Sequence, residues 1–403
     1  MTTETQPNVH SGSISVWQRS VSRMASKADY GSLTLVFPNG AEAHCQGRYS
    51  GPRAAITINS WRLLWRIWSR GDLGFAEAYM AGECDTPDLR ELMAWALANE
   101  ARFSKMMDGG FAAFAASLVH RLRPNTRSGS RRNIRRHYDL SNTFYETWLD
   151  ASMTYSSAWF GGDLSHSLEA AQNAKYARIA EMAGITSEHH VLEIGCGWGG
   201  FCAWAAREIG CHITAVTISS AQHGYAQDRI RAEGLDHLVD IRLMDYRDIV
   251  DDYDVIVSIE MIEAVGEKFW PVYANVLQQR LRPGGRAVLQ AITINADSFE
   301  GYRNRADFIQ AHVFPGGMLP TNARLDDMAL KAGLKPASRL MFGRDYAETL
   351  RRWRLAFEAA WPAIEKLDFD ERFRRMWRYY LVYCEAGFDV GRIDVGLFAM
   401  DRT

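Results

Sequence analysis

The sequence holds six cysteines but no Cys-x-x-Cys pair, and Cys45, Cys84, Cys196, Cys202, Cys211 and Cys384 are too scattered for a zinc site or a disulfide framework. No structural metal is expected, and a reducing compartment fits the pattern. Long apolar runs are missing as well. The first thirty residues are polar, with no apolar core for a secretion signal, and the longest apolar segment, near 110–119, is too short to cross a bilayer. Net charge is almost absent, at −2. That small total hides an imbalance, because residues 1–136 carry 18 basic and 11 acidic side chains and the remainder carries 28 and 37. A basic front on an acidic body suits an anionic partner, either a phospholipid surface or a nucleic acid. No recognition helix, RNP motif, zinc finger or Asn-Pro-Pro-Tyr accompanies the charge, so nucleic acid is not expected.

What is present is an ordinary globular composition, 47% hydrophobic and 23% charged, over 403 residues, enough for two domains. Thirteen Trp and eighteen Phe fit either an aromatic-rich core or a long greasy ligand. Residues 1–29 read as loosely ordered. Leu33–Phe37 and Ala54–Ile58 read as short strands, and 61–99 as helical, with Thr86 as N-cap and Pro87 just inside a helix start. Residues 120–136 hold seven arginines and no acid, with Pro124 and Ser128-Gly129-Ser130 making them linker-like. They are either a solvated connector or a phosphate-contacting surface. From about 187 the texture alternates: His190–Ile194, His212–Thr217, Val239–Leu243, Tyr253–Ile259 and Arg286–Ile292 are apolar runs separated by helix-length spacers. That predicts an α/β fold with a mostly parallel sheet, closed by a helical, aromatic tail over 346–386. The expected division is a small α+β domain over 1–120, a basic linker over 121–136 and a second domain over 137–403.

The first run leads into Glu193-Ile194-Gly195-Cys196-Gly197-Trp198-Gly199-Gly200 and then a helix. Glycines there let the backbone turn sharply and a nucleotide-like ligand approach closely. Alone, the pattern fits NAD or FAD equally. Glu193, placed to accept from an ammonium group, and Leu281-Arg282-Pro283-Gly284-Gly285 before a later strand shift the reading to S-adenosyl-L-methionine. The second run ends in Val216-Thr217-Ile218-Ser219, then Gln222, without the acid a generic nucleotide site would place there.

These residues, with Arg135-Arg136-His137-Tyr138-Asp139-Leu140-Ser141-Asn142, Met153-Thr154-Tyr155-Ser156-Ser157-Ala158, Asp245-Tyr246-Arg247-Asp248 and Phe314-Pro315-Gly316-Gly317-Met318-Leu319-Pro320, resemble the cyclopropane-fatty-acid synthase and mycolic-acid methyltransferase family. The resemblance runs from about Leu33 to the C-terminal helices. It implies a class I S-adenosylmethionine-dependent methyltransferase core, Rossmann-like, with a helical cap over a lipid tunnel. By the same resemblance, Tyr155 and Ser156 hold the methionine end of the cosubstrate, and Gly195 and Gly197 lie against it. Thr217, Ile218 and Gln222 bracket the ribose region, and Asp245 and Tyr246 lie near the adenine. Trp198 and Ile259 complete the set. The implied reaction is that of a cyclopropane-fatty-acyl-phospholipid synthase, adding a methylene unit to a cis double bond of a phospholipid acyl chain through a carbocation. Partners would be unsaturated phospholipids and a second copy of the chain, at the inner face of the cell membrane from the cytoplasm. Arg121, Arg123, Arg127, Arg131 and Arg132 would touch the membrane.

In much of the family a bound bicarbonate takes the released proton, held by Cys, Glu, His, an Ile backbone group and Tyr. Glu263, Ile292 and Tyr346 match. Ser157 stands for the Cys, Gln290 for the His, and Ala264 for the His after the Glu, while Glu260 adds a carboxylate one helical turn from Glu263. The phrase Ser258-Ile259-Glu260-Met261-Ile262-Glu263 is similar to the branch containing plant-type cyclopropane synthases and actinobacterial methylene-forming enzymes. Either bicarbonate or Glu260 is then the base, and the product is a ring or a methyl or methylene branch. Bland alternatives are a solvated Glu260, a Gln290 that only satisfies backbone groups, and a non-catalytic lipid-binding protein.

Overall fold

In a computed structural model the chain is described over residues 8–10, 15–107 and 140–403. The arginine run 121–136 and the Arg135–Asp139 part of the family-like motif lie outside the described residues. Two compact units are present, Met1–Val119 with Asp368–Ala386, and His120–Leu367 with Gly387–Thr403.

The first unit carries a five-stranded sheet, β1 (Asn8–His10), β2 (Tyr30–Val36), β3 (Glu42–Gln46), β4 (Tyr49–Ile58) and β5 (Cys84–Asp85), in the order β1-β3-β2-β4-β5. Leu33 and Leu35 on β2 and Ala54, Ile56 and Ile58 on β4 alternate into the core, the period of two that a half-buried sheet requires. Three expectations change here. Residues 16–25, read as loosely ordered, form a helix, because Ser15 and Gln18 close a reciprocal capping box. The helix over 89–98 is capped by Asp88, whose carboxylate accepts from the N–H groups of Arg90 (2.9 Å) and Glu91 (3.1 Å), so Thr86 and Pro87 stand outside it. The C-terminal tail does not stay wholly with the second unit. Arg375, on the helix Glu371–Asp389, is buried and donates to the carbonyls of Tyr79 (2.5 Å) and Cys84 (2.6 Å), while Glu385 pairs with Arg90 at 2.9 Å. Residues 368–386 therefore pack with the first unit.

The second unit is a seven-stranded sheet of β6 (His190–Ile194), β7 (His212–Thr217), β8 (Val239–Leu243), β9 (Tyr253–Ile259), β10 (Leu281–Ile294), β11 (Leu334–Met341) and β12 (Ile393–Arg402). Its order is β11-β12-β10-β9-β6-β7-β8, with β10, β9, β6, β7 and β8 parallel, β12 antiparallel to β10, and β11, antiparallel to β12, running in the same direction as the other five. This is the class I α/β arrangement. Val191, Leu192, Val255, Ile256 and Val257 are buried, as strands covered on both faces must be. The Pro283-Gly284-Gly285 turn lies inside β10 as an irregularity between Leu281 and Arg286, rather than ahead of the strand. The strand order reverses between β6 and β9. In sheets of this kind the crevice beyond the carboxyl ends of the strands at that reversal is where ligands enter.

Candidate active site

The crevice is lined first by the turn after β6. Gly195 has φ +85 and Gly197 φ +53, conformations that tolerate glycine best. The N–H groups of Gly195 and Cys196 both donate to the Val216 carbonyl, at 2.9 and 3.1 Å, which ties this turn to the end of β7. A Cβ on Gly200, at the start of the next helix, would lie 2.5 Å from Tyr176 Oη, so the helix can pack this closely only with glycine there. Glu193 is buried, and its Oε2 has no hydrogen-bond partner among the described residues. Burial pushes its pKa up to about 8. A buried carboxyl with one oxygen unmatched among the described residues, beside a glycine turn, suits a ligand with an ammonium group, as S-adenosylmethionine has.

The second wall holds the acid–base groups. Glu260 follows β9 with φ +49, off the short helix Ile262–Val265 and not on a shared helical face with Glu263 as the spacing predicts. Its Oε1 accepts from the Ser157 N–H (2.8 Å) and from Gln290 Nε2 (2.7 Å), and its Oε2 accepts from Tyr346 Oη (2.7 Å). A solvated role for Glu260 is thereby excluded. Loss of water raises its pKa, opposed by the Tyr346 and Ser157 donors and by the charge of Lys175. Gln290 Nε2 also donates to the Ser157 carbonyl at 3.3 Å, so it serves the carboxylate and the backbone together. Ser157 itself is fully buried and spends its hydroxyl on the Ala158 carbonyl (2.9 Å), so its main-chain N–H makes the contact with the carboxylate.

Glu263 is served less well. Its Oε1 accepts from the Ile292 N–H at 2.5 Å and its Oε2 is buried without a partner among the described residues. Burial, with the neighbouring Glu260 charge second, pushes its pKa up to about 8. The two carboxyls are thus driven apart. Glu260, with three donors, is the one fitted to carry charge, and Glu263, with one, is held neutral at pH 7.

One group has no counterpart among the sequence expectations. Lys175, on the helix Leu168–Ala183, is wholly buried and donates from Nζ to Ser156 Oγ at 2.7 Å. Burial lowers its pKa, and Glu260, Asp150 and Glu193 oppose that shift through their charges. Gln172, one turn earlier, donates to the Ser156 carbonyl at 2.9 Å. A lysine in an otherwise mixed helix looks solvated in the sequence, and no spacing marks it.

The remaining expected residues are spread round the crevice. Tyr155 packs among Tyr145 (5.3 Å), Trp148 (5.9 Å, edge-on) and Trp353 (5.2 Å), and Tyr346 meets Trp353 (6.1 Å) and Phe388 (4.5 Å). These rings give the site aromatic faces able to attract a cation. Thr217 Oγ1 donates to Gln222 Oε1 at 3.0 Å, and Ile218 follows directly after β7. Asp245 is engaged by Arg247, at 2.6 and 2.8 Å, and Tyr246 packs on Tyr273 with its hydroxyl unpartnered among the described residues. Ile259 ends β9 opposite Gln290. Trp198 is turned to Asn142 Oδ1 (2.9 Å) and the Tyr145 ring (4.8 Å).

Several known proteins are similar to this chain. Residues 125–398 match the family described as mycolic acid cyclopropane synthetase. A tuberculostearic acid methyltransferase of Mycobacterium tuberculosis is 41% identical over 355 residues, 84% of this chain and 80% of the relative. The cyclopropane-fatty-acyl-phospholipid synthase of Escherichia coli is 35% identical over 352 residues, 84% of this chain and 85% of the relative. The solved structure of a mycolic acid cyclopropane synthase complexed with SAH and CTAB has a TM-score of 0.63 at 26% identity, over 70% of this chain and 99% of that one. The chain therefore belongs to the mycolic acid cyclopropane synthetase family and is an S-adenosylmethionine-dependent methyltransferase.

Proposed function

From that membership we propose that the protein adds one carbon to the cis double bond of an unsaturated phospholipid acyl chain, and that Glu260 takes up the proton released. One observation carries the reading: Glu260 accepts from Ser157, Gln290 and Tyr346, three of the five positions at which the family resemblance places a bound anion. A carboxylate of the chain itself then occupies the seat of bicarbonate.

S-adenosylmethionine supplies an electrophilic methyl group. Glu193 and Ser156 are suited to its methionine end, with Lys175 fixing the Ser156 hydroxyl. The residues must keep water out and hold the alkene close, since an isolated double bond is a weak nucleophile. The aromatic faces of Tyr155, Trp353 and Tyr346 steady the positive charge left on the acyl chain. Fast removal of a proton from the new methyl closes a cyclopropane. Slow removal leaves time for a hydride to move from the methylated carbon to its neighbour. The charge then sits on the more substituted carbon, and loss of the same methyl proton leaves a methylene branch. A base already engaged by three donors accepts slowly, so the methylene branch is the product best supported. The ring is the second reading, favoured by the Escherichia coli relative.

Methyl-labelled donor and dioleoyl phosphatidylglycerol in mixed micelles test this, with the product resolved by NMR. A labelled methylene branch formed at the same rate with and without bicarbonate is expected. A rate that collapses when bicarbonate is removed would overturn Glu260 as the base. The reading also puts the enzyme in the cytoplasm at the membrane surface as a homodimer, two copies tethering a weakly attached enzyme to one membrane by avidity. Among the described residues no helix is long and apolar enough to cross a membrane. Light scattering with and without vesicles checks both points.

A further inference from the structure

We infer that two short helices of the first unit form a docking face for an anionic phospholipid bilayer; the inference rests on the proposed lipid substrate. The first is Val16–Ala25. Its buried face is Gln18, Ser22 and Ala25, while Val16 is 70%, Trp17 75% and Met24 55% exposed. That inverts the usual arrangement, in which polar residues face water. On the same exposed arc stand Arg19 and Arg23, which make no ion pair among the described residues.

The second is the first half of Arg62–Met80. Trp61, Trp65 and Trp68 fall at helical spacing on one stripe, with Trp65 65% and Trp68 73% exposed and their rings 5.1 Å apart. The helix breaks at Gly71 (φ +58, ψ −133), and a Cβ on Gly74 would lie 2.0 Å from the Arg66 carbonyl, so the second half folds tightly back on the first. Arg66 and Arg70 are drawn inward to Glu83 and Glu77, which fixes the stripe outward. Arg62 stays outside, its side chain 76% exposed.

The two helices share one turn. Gln18 Nε2 donates to Asn39 Oδ1 at 2.7 Å, and Trp61 stacks on Phe37 at 6.0 Å, so Trp17 and Trp61 flank residues 37–39. Neither 15–27 nor 61–70 contains an acid. Exposed tryptophans beside exposed arginines, Arg19 and Arg23 without an ion pair among the described residues and Arg62 held only at 3.5 Å by the buried Glu83, match the headgroup layer of an anionic bilayer, where indoles settle and guanidinium groups meet phosphates. A protein partner of ordinary surface offers no such match to both.

The test uses the full-length protein, wild type and the Trp17→Ser/Trp65→Ser/Trp68→Ser variant, on vesicles of equal dioleoyl phosphatidylglycerol and phosphatidylcholine. Brominated acyl chains should quench wild-type tryptophan fluorescence, and the triple variant should lose most of that quenching and bind about tenfold more weakly. An Arg19→Gln/Arg23→Gln/Arg62→Gln variant should bind with a weaker dependence on salt. The thermal transition of each variant, and its turnover of lipid in detergent micelles, should match wild type. Vesicle binding and quenching unchanged in the triple variant would overturn the inference. So would a triple variant that becomes monomeric yet still binds vesicles, since the face would then join two copies of the chain. Absence of lipid turnover by the wild type in micelles would instead count against the proposed reaction, leaving the binding result to be read independently.

Discussion

The two units break the same rule in opposite directions. The second unit encloses ionisable groups: Lys175 and Glu193 are buried, and one oxygen each of Glu193 and Glu263 is left without a hydrogen-bond partner among the described residues. The first exposes what others bury, with Trp17, Trp65 and Trp68 in solvent and Gln18 and Ser22 inside. A residue in the wrong solvent costs stability, and such residues collect where another molecule completes the environment. In the crevice the missing partner is polar and charged. On the helices it is apolar with a negative rim.

That contrast predicts unequal consequences. The largest belongs to Glu260. Glu260→Gln keeps the shape but cannot accept a proton, and kcat should fall by about 10²–10⁴-fold, the usual worth of a positioned general base. Affinity for S-adenosylmethionine, measured by calorimetry, should be little altered. Activity near wild type in this variant would return the base to bicarbonate.

Lys175 comes next. Lys175→Met removes the hydrogen bond to Ser156 and the cation that favours ionised Glu260. Turnover should drop, and the acid limb of the pH–rate profile should move upward by about one unit as Glu260 becomes harder to ionise. A packing role would lower the rate at every pH without moving the limb, which separates the two.

The third effect is on stability and has the opposite sign. Glu263 is raised from 4.5 to about 8, so the folded chain keeps a proton that the unfolded chain loses. Its contribution is whole below pH 4.5 and is lost as pH rises through about 8. Glu263→Gln removes that loss. Its unfolding free energy should match wild type near pH 4.5 and exceed it increasingly up to pH 8, by on the order of 4 kcal/mol at the top. Parallel profiles across that range would show that Glu263 does not titrate so.

The sequence is legible where one physical signal dominates. Apolar runs mark β6, β7 and β9 to the residue, because strands covered on both faces are apolar almost throughout, and alternation marks the edge strand β8, where Asp240 is exposed between Val239 and Ile241. Glycines and Glu193 mark the crevice for the same reason, as do Ser157, Gln290 and Tyr346 through the family resemblance. β11 carries Lys335, Pro336, Ser338 and Arg339 and pairs on one side only, so its pattern is that of a loop. The helix Val16–Ala25 is hidden by its inverted faces. Glu260 is a candidate base in the sequence, but its seat needs the fold, a left-handed residue at the end of a strand; Lys175 depends on a burial no neighbour in sequence announces.

The smallest effect tests the other side of the comparison. If Trp68 is exposed for a partner and contributes nothing to the folded unit, Trp68→Ser alone should change unfolding free energy by no more than about 0.5 kcal/mol, as surface substitutions do. A tryptophan in a core would cost about 3–5 kcal/mol on truncation. Chemical denaturation without lipid distinguishes these. Adding anionic vesicles should then separate the proteins, because a ligand that binds the folded state stabilises it in proportion to its affinity. Wild type should gain more than the variant. A large loss without lipid would mean that Trp68 packs against the protein, and the symmetry between the two units would fail on the side where it was weakest.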